Sequence, residues 1–305
     1  MSEVASTPGS VTVRVPAKVN VQLAVGGARP DGFHDLANVF LAVGLYDEVT
    51  VAPADSLRVT CEGPDAARVP LDRTNLAARA VEKLAERYGR RADVHVHIAK
   101  DIPVAGGMAG GSADGAGALV AADALWGTRA PREELLEICA ELGSDVPFSL
   151  VGGAALGTGR GEKLEVLPVG GPFHWVFAVA DGGLSTPAVY GEFDRLNAGV
   201  EVPEPVASPV LLDALASGDA SALAGALSND LQAAALSLRP SLAATLAVGA
   251  DAGALASLVS GSGPTTAFLV PDAEVAAEVA DALVVSGTCR AARVAVGPVR
   301  GAVVL

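Results

Sequence analysis

The sequence predicts an α+β protein folded as two domains, and three observations carry that prediction. Half of the 305 residues are hydrophobic and only 18% are charged. A chain of that size buries most of its unfolded surface and outgrows a single core. Stretches of strand-like and helix-like periodicity interleave without the strict alternation that builds a doubly wound parallel sheet. The texture then changes at Gly170-Gly171-Pro172, which places the domains at residues 1–170 and 171–305.

The elements follow in order. Val11 to Val15 and Val19 to Val25 are β-branched and alternate with polar residues, so each reads as a strand. Gly26 to Gly32 has turn chemistry, and strands are expected at Val39–Leu45, Val49–Ala52 and Leu57–Cys61. Leu76, Ala80, Val81 and Leu84 recur at helical spacing within Asn75–Tyr88, and Gly89 stops that helix. Asp93–Ala99 alternates as a strand. A dense glycine segment, Ala105 to Gly117, then runs into an apolar helix that ends at Gly127, and Arg132–Leu142 forms another. Gly152 to Gly161 is a second glycine-rich turn region, followed by the strand-like Lys163–Leu167. The second half opens on a strand at Trp175–Ala180 and continues in alanine-rich helices through Ala250. It closes with a strand, a Ser-Gly loop, a strand, a helix at Ala273–Val284 and a strand at Ala292–Val296.

Charge and composition exclude several classes. The net charge is −14, which argues against a nucleic-acid partner because phosphate backbones are held by clustered Lys and Arg. A small phosphorylated ligand needs only a local positive patch and stays open. Met1 to Ser10 lacks the apolar stretch of a secretory signal. The longest uncharged stretch, Ala252 to Pro271, is broken by Ser260–Pro264, so no membrane helix is expected. Cys61, Cys139 and Cys289 show no CxxC and read as three buried thiols. His95 and His97 share one strand face and read as solvent-facing, and His174 fits no motif. The chain is expected to be cytoplasmic, with no membrane partner.

Chemistry concentrates in the glycine segment. In Pro103-Val-Ala-Gly-Gly-Met-Ala-Gly-Gly-Ser-Ala-Asp114, glycines let backbone N–H groups approach an anion, and the following helix aims its positive end at it. The chain has no GK dipeptide, no GxGxxG and no GxSxG, which removes the P-loop, the dinucleotide fingerprint and the hydrolase elbow. The loop has companions: Pro16-Ala-Lys-Val-Asn20, Asp31-Gly-Phe-His34, Leu142-Gly-Ser-Asp-Val-Pro-Phe148 and Ser260-Gly-Ser-Gly-Pro264. By residue type alone, Asp145 stands at a helix start, where aspartate is a common cap.

As a set, these motifs resemble the GHMP kinase superfamily, over nearly the whole chain from Val13 to Val296. The resemblance implies a two-domain α+β kinase with its site in the interdomain cleft, moving the γ-phosphoryl of ATP to an alcohol. It makes Asp145 the general base and sets Lys18 beside it. To ATP it assigns Asn75, Leu76, Lys100 and the loop residues Pro103, Val104, Ala105, Gly106, Gly107, Met108, Ala109, Gly110, Gly111 and Ser112. Mg2+ is implied by the nucleotide, with Ser112 the one ligand candidate. DGFH together with GSDVPF implies an alcohol carried on cytidine diphosphate. That is the cytidine diphosphate-linked methylerythritol of the non-mevalonate isoprenoid route, phosphorylated on its 2-hydroxyl. His34 would read the cytosine edge, Phe33 and Tyr190 would stack on it, and Asn20 and Thr186 would lie near the methylerythritol and phosphates. Such an enzyme would be a monomer or homodimer. The alternatives are a kinase for homoserine or a mevalonate-type alcohol, and a catalytically silent nucleotide-binding protein. The loop departs from the family's GLGGGSSDAA at Met108, Ala109, Ala113 and Gly115. Ala109 must either keep a negative φ or tolerate strain.

Overall fold

The computed structural model describes residues 9–305. Its first sheet is built on two long antiparallel strands, β1 (Val11–Ala28) and β2 (His34–Pro53). In β1 the apolar positions Val13, Val15, Val19 and Val21 are buried in the core, while Lys18 and Asn20 alternate onto the opposite face. These polar residues are buried too, and that combination marks a site. The sequence breaks β1 after Val15 and β2 after Leu45, yet each runs as one strand. Register shifts at Pro16/Ala17 and Asn20/Gln22 absorb the irregular residues as bulges.

The first half adds four more strands to this sheet, β3 (Arg58–Glu62), β4 (Val94–Ala99), β5 (Ala154–Thr158) and β6 (Lys163–Val166), of which β4 and β5 flank β2, β3 flanks β4 and β6 flanks β5. Four helices, α1 (Leu76–Arg87), α2 (Gly110–Trp126), α3 (Arg132–Leu142) and α4 (Val146–Val151), pack into the core of that sheet. α2 is apolar on most of its surface because it is buried on most of it. Gly117 carries no side chain where the helix crosses Val15 and Val49.

The second half supplies β7 (Phe173–Val179), β8 (Ser228–Asn229), β9 (Ala256–Val259), β10 (Thr266–Val270), β11 (Ala291–Gly297) and β12 (Val303–Val304). Four of them form an antiparallel sheet in the order β11-β7-β10-β9, while β8 and β12 pair with β1 in the first sheet. The helices are α5 (Thr186–Leu196), α6 (Pro209–Ser217), α7 (Ala220–Ala226), α8 (Gln232–Leu238), α9 (Ser241–Asp251) and α10 (Ala273–Ser286). Val279 and Leu283 of α10 close a core with Val176 and Phe268 of the second sheet. α5 and α8 pack with Leu23, Val25 and Leu36 of the long strands, which brings the second half against the polar face of β1 and β2.

Cys139 is buried, but Cys61 and Cys289 are only half-buried, against the expectation of three buried thiols. Cys61 stands in β3, at an edge of the first sheet, and Cys289 in the turn between the helix ending at Ser286 and the strand starting at Ala291, which leaves both sulfurs partly open. His95 and His97 both hydrogen-bond Thr60 Oγ1, at 2.7 and 2.8 Å. Among the described residues no group of three or more His, Cys, Asp or Glu is placed to hold a metal, and no helix is long and apolar enough to cross a membrane.

Candidate active site

A cleft of about 710 Å3 opens where the second half meets the polar face of β1 and β2. Lys18 and Asn20 of β1, Leu36 and Asn38 of β2, and the glycine loop form one side. Thr186, Tyr190 and Asp194 of α5, with Gly261, Ser262 and Gly263, form the other.

Lys18 and Asp145 meet at the centre. Lys18 Nζ lies 3.6 Å from Asp145 Oδ2. It donates to Asn20 Oδ1 and to the Gly107 carbonyl, both at 2.7 Å, so its three protons have three defined directions. Asp145 occupies the N-cap position of α4, but its side chain makes no capping bond. Its carboxylate is 31% exposed and faces the cleft. A cap aspartate would be folded back onto its own helix; this one is free for chemistry. Burial lowers the Lys18 pKa below its ordinary value, and the Asp145 charge opposes that shift.

The glycine loop arches over Lys18 into the first turn of α2. No side chain caps α2, so the N–H groups of Gly110, Gly111 and Ser112 face the cleft at the positive end of the helix. Ala109 takes the second of the two courses left to it, a left-handed conformation at φ 61°, and Ala105 does the same at φ 55°. The second half braces this arch. Ser260 Oγ donates to the Gly107 carbonyl at 3.1 Å, and the Thr265 N–H donates to the Gly106 carbonyl. A side chain at Gly107 (φ 77°) would run into the Ser260 carbonyl oxygen. The Ser260–Pro264 turn therefore both supports the loop and lines the cleft.

Four expectations for the nucleotide side are revised. The Lys100 ammonium does not reach the cleft. It is buried between the carboxylates of Asp47 and Asp114, the latter at 3.0 Å. Burial disfavours its charge, but Asp114 and Asp47 together outweigh that and raise its pKa. Asn75 caps α1, accepting from the Ala77 N–H at 2.8 Å and donating to the Pro70 carbonyl at 2.7 Å, so its amide is engaged inside the fold. The Val104 N–H is taken by Asp65 Oδ2 at 3.2 Å, and the Met108 side chain is fully buried in the core. Leu76, Pro103, Ala105, Gly106, Gly107, Ala109, Gly110, Gly111 and Ser112 do line the cleft.

At the far end, His34 is buried and its Nε2 lies 2.8 Å from Asp194 Oδ1. A carboxylate accepts, so Nε2 carries the proton and Nδ1 is left without a protein partner among the described residues. The Tyr190 ring lies 4.9 Å from His34, and Phe33 is half exposed at the mouth of the cleft. Burial raises the Tyr190 pKa, with a further contribution from Asp145. Arg160 stands over Phe33, its Cζ 5.1 Å from the ring centroid. Thr186 Oγ1 is 3.0 Å from Ser262 Oγ, joining α5 to the Ser-Gly turn. Arg160, Asp194 and Asn38 escape sequence reasoning. Only Arg160 leaves a signal, as a cation inside the second glycine-rich turn of an acidic chain.

The fold and this cleft define a small-molecule kinase of the GHMP class. Residues 75–153 match the GHMP kinases N terminal domain and residues 211–286 the GHMP kinases C terminal domain. A curated relative from Streptomyces avermitilis, 4-diphosphocytidyl-2-C-methyl-D-erythritol kinase, is 80% identical over 296 residues, covering 97% of this chain and all of the relative. The enzyme of that name from Thermobifida fusca is 59% identical, covering 98% of this chain and 100% of the relative. A crystal structure of 4-(cytidine 5'-diphospho)-2C-methyl-D-erythritol kinase superposes with a TM-score of 0.76 at 31% identity, over 93% of this chain and 98% of that one. A homoserine kinase from Cytophaga hutchinsonii shares the fold, with a TM-score of 0.77 at 21% identity over the whole of both chains. The chain belongs to the 4-diphosphocytidyl-2-C-methyl-D-erythritol kinases.

Proposed function

We propose that this kinase transfers the γ-phosphoryl of ATP to the 2-hydroxyl of 4-(cytidine 5'-diphospho)-2-C-methyl-D-erythritol, with Asp145 as general base. The observation that carries the reading is the Lys18–Asp145 pair, 3.6 Å apart beneath the glycine loop and open to the cleft. In the transfer, Asp145 takes the hydroxyl proton as the oxygen bonds to the γ-phosphorus and the bond to the β-phosphate oxygen breaks, releasing ADP. Lys18 holds the ionised Asp145 and faces the negative charge that builds on the phosphoryl group. The free N–H groups at the start of α2 cradle the phosphates.

The nucleotide's divalent cation fits the same arrangement. The cleft offers the Ser112 hydroxyl but no acidic cluster among the described residues, which suits an ion that arrives with ATP rather than a resident one. Such an ion would neutralise phosphate charge. The Asp194-paired imidazole of His34, with Phe33 and Tyr190, forms the end that takes the cytosine. The division near Gly170 belongs to the same proposal, since the two family matches fall on either side of it.

A coupled ADP-release assay tests the substrate assignment. Turnover with 4-diphosphocytidyl-2-C-methyl-D-erythritol should exceed that with homoserine, mevalonate, phosphomevalonate or galactose by orders of magnitude in kcat/KM. Preference for any of the other four alcohols would replace the assignment.

A further inference from the structure

We infer that Asn38, outside every motif the sequence shows, binds the substrate through its side-chain amide. It would hold an acceptor oxygen of the chain that joins the base to the reacting alcohol. The inference rests on the proposed substrate and on a chain of hydrogen bonds whose direction is forced. The Lys18 ammonium can only donate, so the atom it meets at 2.7 Å is the Asn20 oxygen. Asn20 must then present its nitrogen to Asn38, where it donates to Oδ1 at 2.7 Å. Asn38 is thereby locked with its oxygen turned inward. Its nitrogen, with two protons, has no partner among the described residues, although Asn38 is buried and lines the cleft. A fixed donor in that position is matched by an oxygen that accepts.

Its place in β2 says which part of the substrate it meets. His34, Leu36, Asn38 and Phe40 alternate onto one strand face. His34 belongs to the base end of the cleft. The Lys18 ammonium lies 5.9 Å from the Phe40 ring centroid, so Phe40 marks the reacting end. At about 3.4 Å per residue, Asn38 stands roughly 14 Å along the strand from His34, just short of the reacting end. The oxygens carried between those ends are those of the diphosphate and of the erythritol hydroxyls.

Two variants and one wild-type measurement test this. Asn38→Asp keeps an acceptor for Asn20 and removes the outward donor; Asn38→Leu removes the donor without adding charge. Calorimetric titration with the cytidylyl alcohol should show at least tenfold weaker binding in both variants. A non-hydrolysable ATP analogue should bind within twofold of wild type. Binding of the alcohol within twofold in either variant overturns the inference, because then the donor is unused or the effect is only charge repulsion. Titration with CDP alone locates the oxygen: an equal loss assigns the diphosphate, and an undiminished affinity assigns an erythritol hydroxyl. In the unmutated protein, the Asn38 side-chain amide signals should shift on adding the alcohol and stay in place with the ATP analogue; no shift with the alcohol contradicts the contact. Wild-type protein that fails to phosphorylate the alcohol would overturn the substrate reading instead, which keeps the two failures distinct.

Discussion

Lys18 Nζ stands 3.6 Å from Asp145 Oδ2 while its other protons are held by Asn20 Oδ1 and the Gly107 carbonyl. One side chain thus ties the proposed base to the phosphate loop. Replacing Asp145 with Asn keeps size and polarity but removes the proton acceptor. We expect Asp145→Asn to lower kcat by about 100- to 10,000-fold while leaving the affinity for an ATP analogue nearly unchanged. Single-turnover kinetics with direct nucleotide titration separates the two effects, and an unaltered kcat would remove Asp145 from the role.

The same lysine sets an alkaline limit. Burial lowers its pKa, so the charge is lost as pH rises through a value below the ordinary 10.5. Its positive charge is present on the acid side of that value, and activity should fall on the alkaline side. The kcat/KM profile of the wild type should therefore show a descending limb below pH 10.5. Lys18→Arg, whose guanidinium stays charged beyond about pH 12, should lose that limb even at reduced overall rate. A limb unmoved by the substitution would belong to another group.

Backbone shape in the loop makes opposite predictions at two neighbouring sites. Gly107 meets the Ser260 carbonyl, so Gly107→Ala must displace the arch and should raise KM for ATP sharply. Ala109 sits at φ 61°, a conformation that costs an alanine about 1 kcal/mol relative to glycine. Ala109→Gly should be tolerated or mildly stabilising in a thermal melt, with ATP turnover retained.

Lys100 is read as a structural cation, and stability is the test. Lys100→Met leaves the buried carboxylates of Asp47 and Asp114 without their counter-charge. The denaturant midpoint should drop by an amount equivalent to about 3–5 kcal/mol. A variant as stable as wild type, with only weaker ATP binding, would return Lys100 to the phosphates.

Asp194 has a narrower task. By fixing the proton of His34 on Nε2, it leaves Nδ1 as an acceptor, which suits the amino group of cytosine. Asp194→Ala should raise KM for the cytidylyl substrate about tenfold, the effect of one lost charge-assisted hydrogen bond. KM for ATP should stay put. Equal changes in both constants would point to a general disturbance of α5.

Much of the fold was legible because burial writes a period into the chain. The helices Leu76–Arg87 and Arg132–Leu142 fall where apolar spacing puts them, and Gly127 ends α2 in the left-handed conformation expected of a terminal glycine. The long strands were cut in two because a proline and a bulge look like ends when the partner strand is unseen. At the site, Lys18, Asp145, His34 and Tyr190 lie in motifs and converge on one cleft. Lys100 misled because a lysine beside a phosphate loop reads as a phosphate cation. Asp47, 53 residues away, and Asp114 hold it instead. Asn38 and Asp194 carry no local signal: each acquires its place only through a partner far along the chain, Asn20 or His34.

The most direct test follows the phosphorus atom. Wild-type protein with ATP, Mg2+ and 4-diphosphocytidyl-2-C-methyl-D-erythritol should yield ADP and one new phosphomonoester in the 31P spectrum. That signal should couple to the 2-position of the methylerythritol and be absent with Asp145→Asn. ADP release with no new ester, or an ester on a different hydroxyl, would contradict the arrangement of Lys18, Asp145 and the cleft described above.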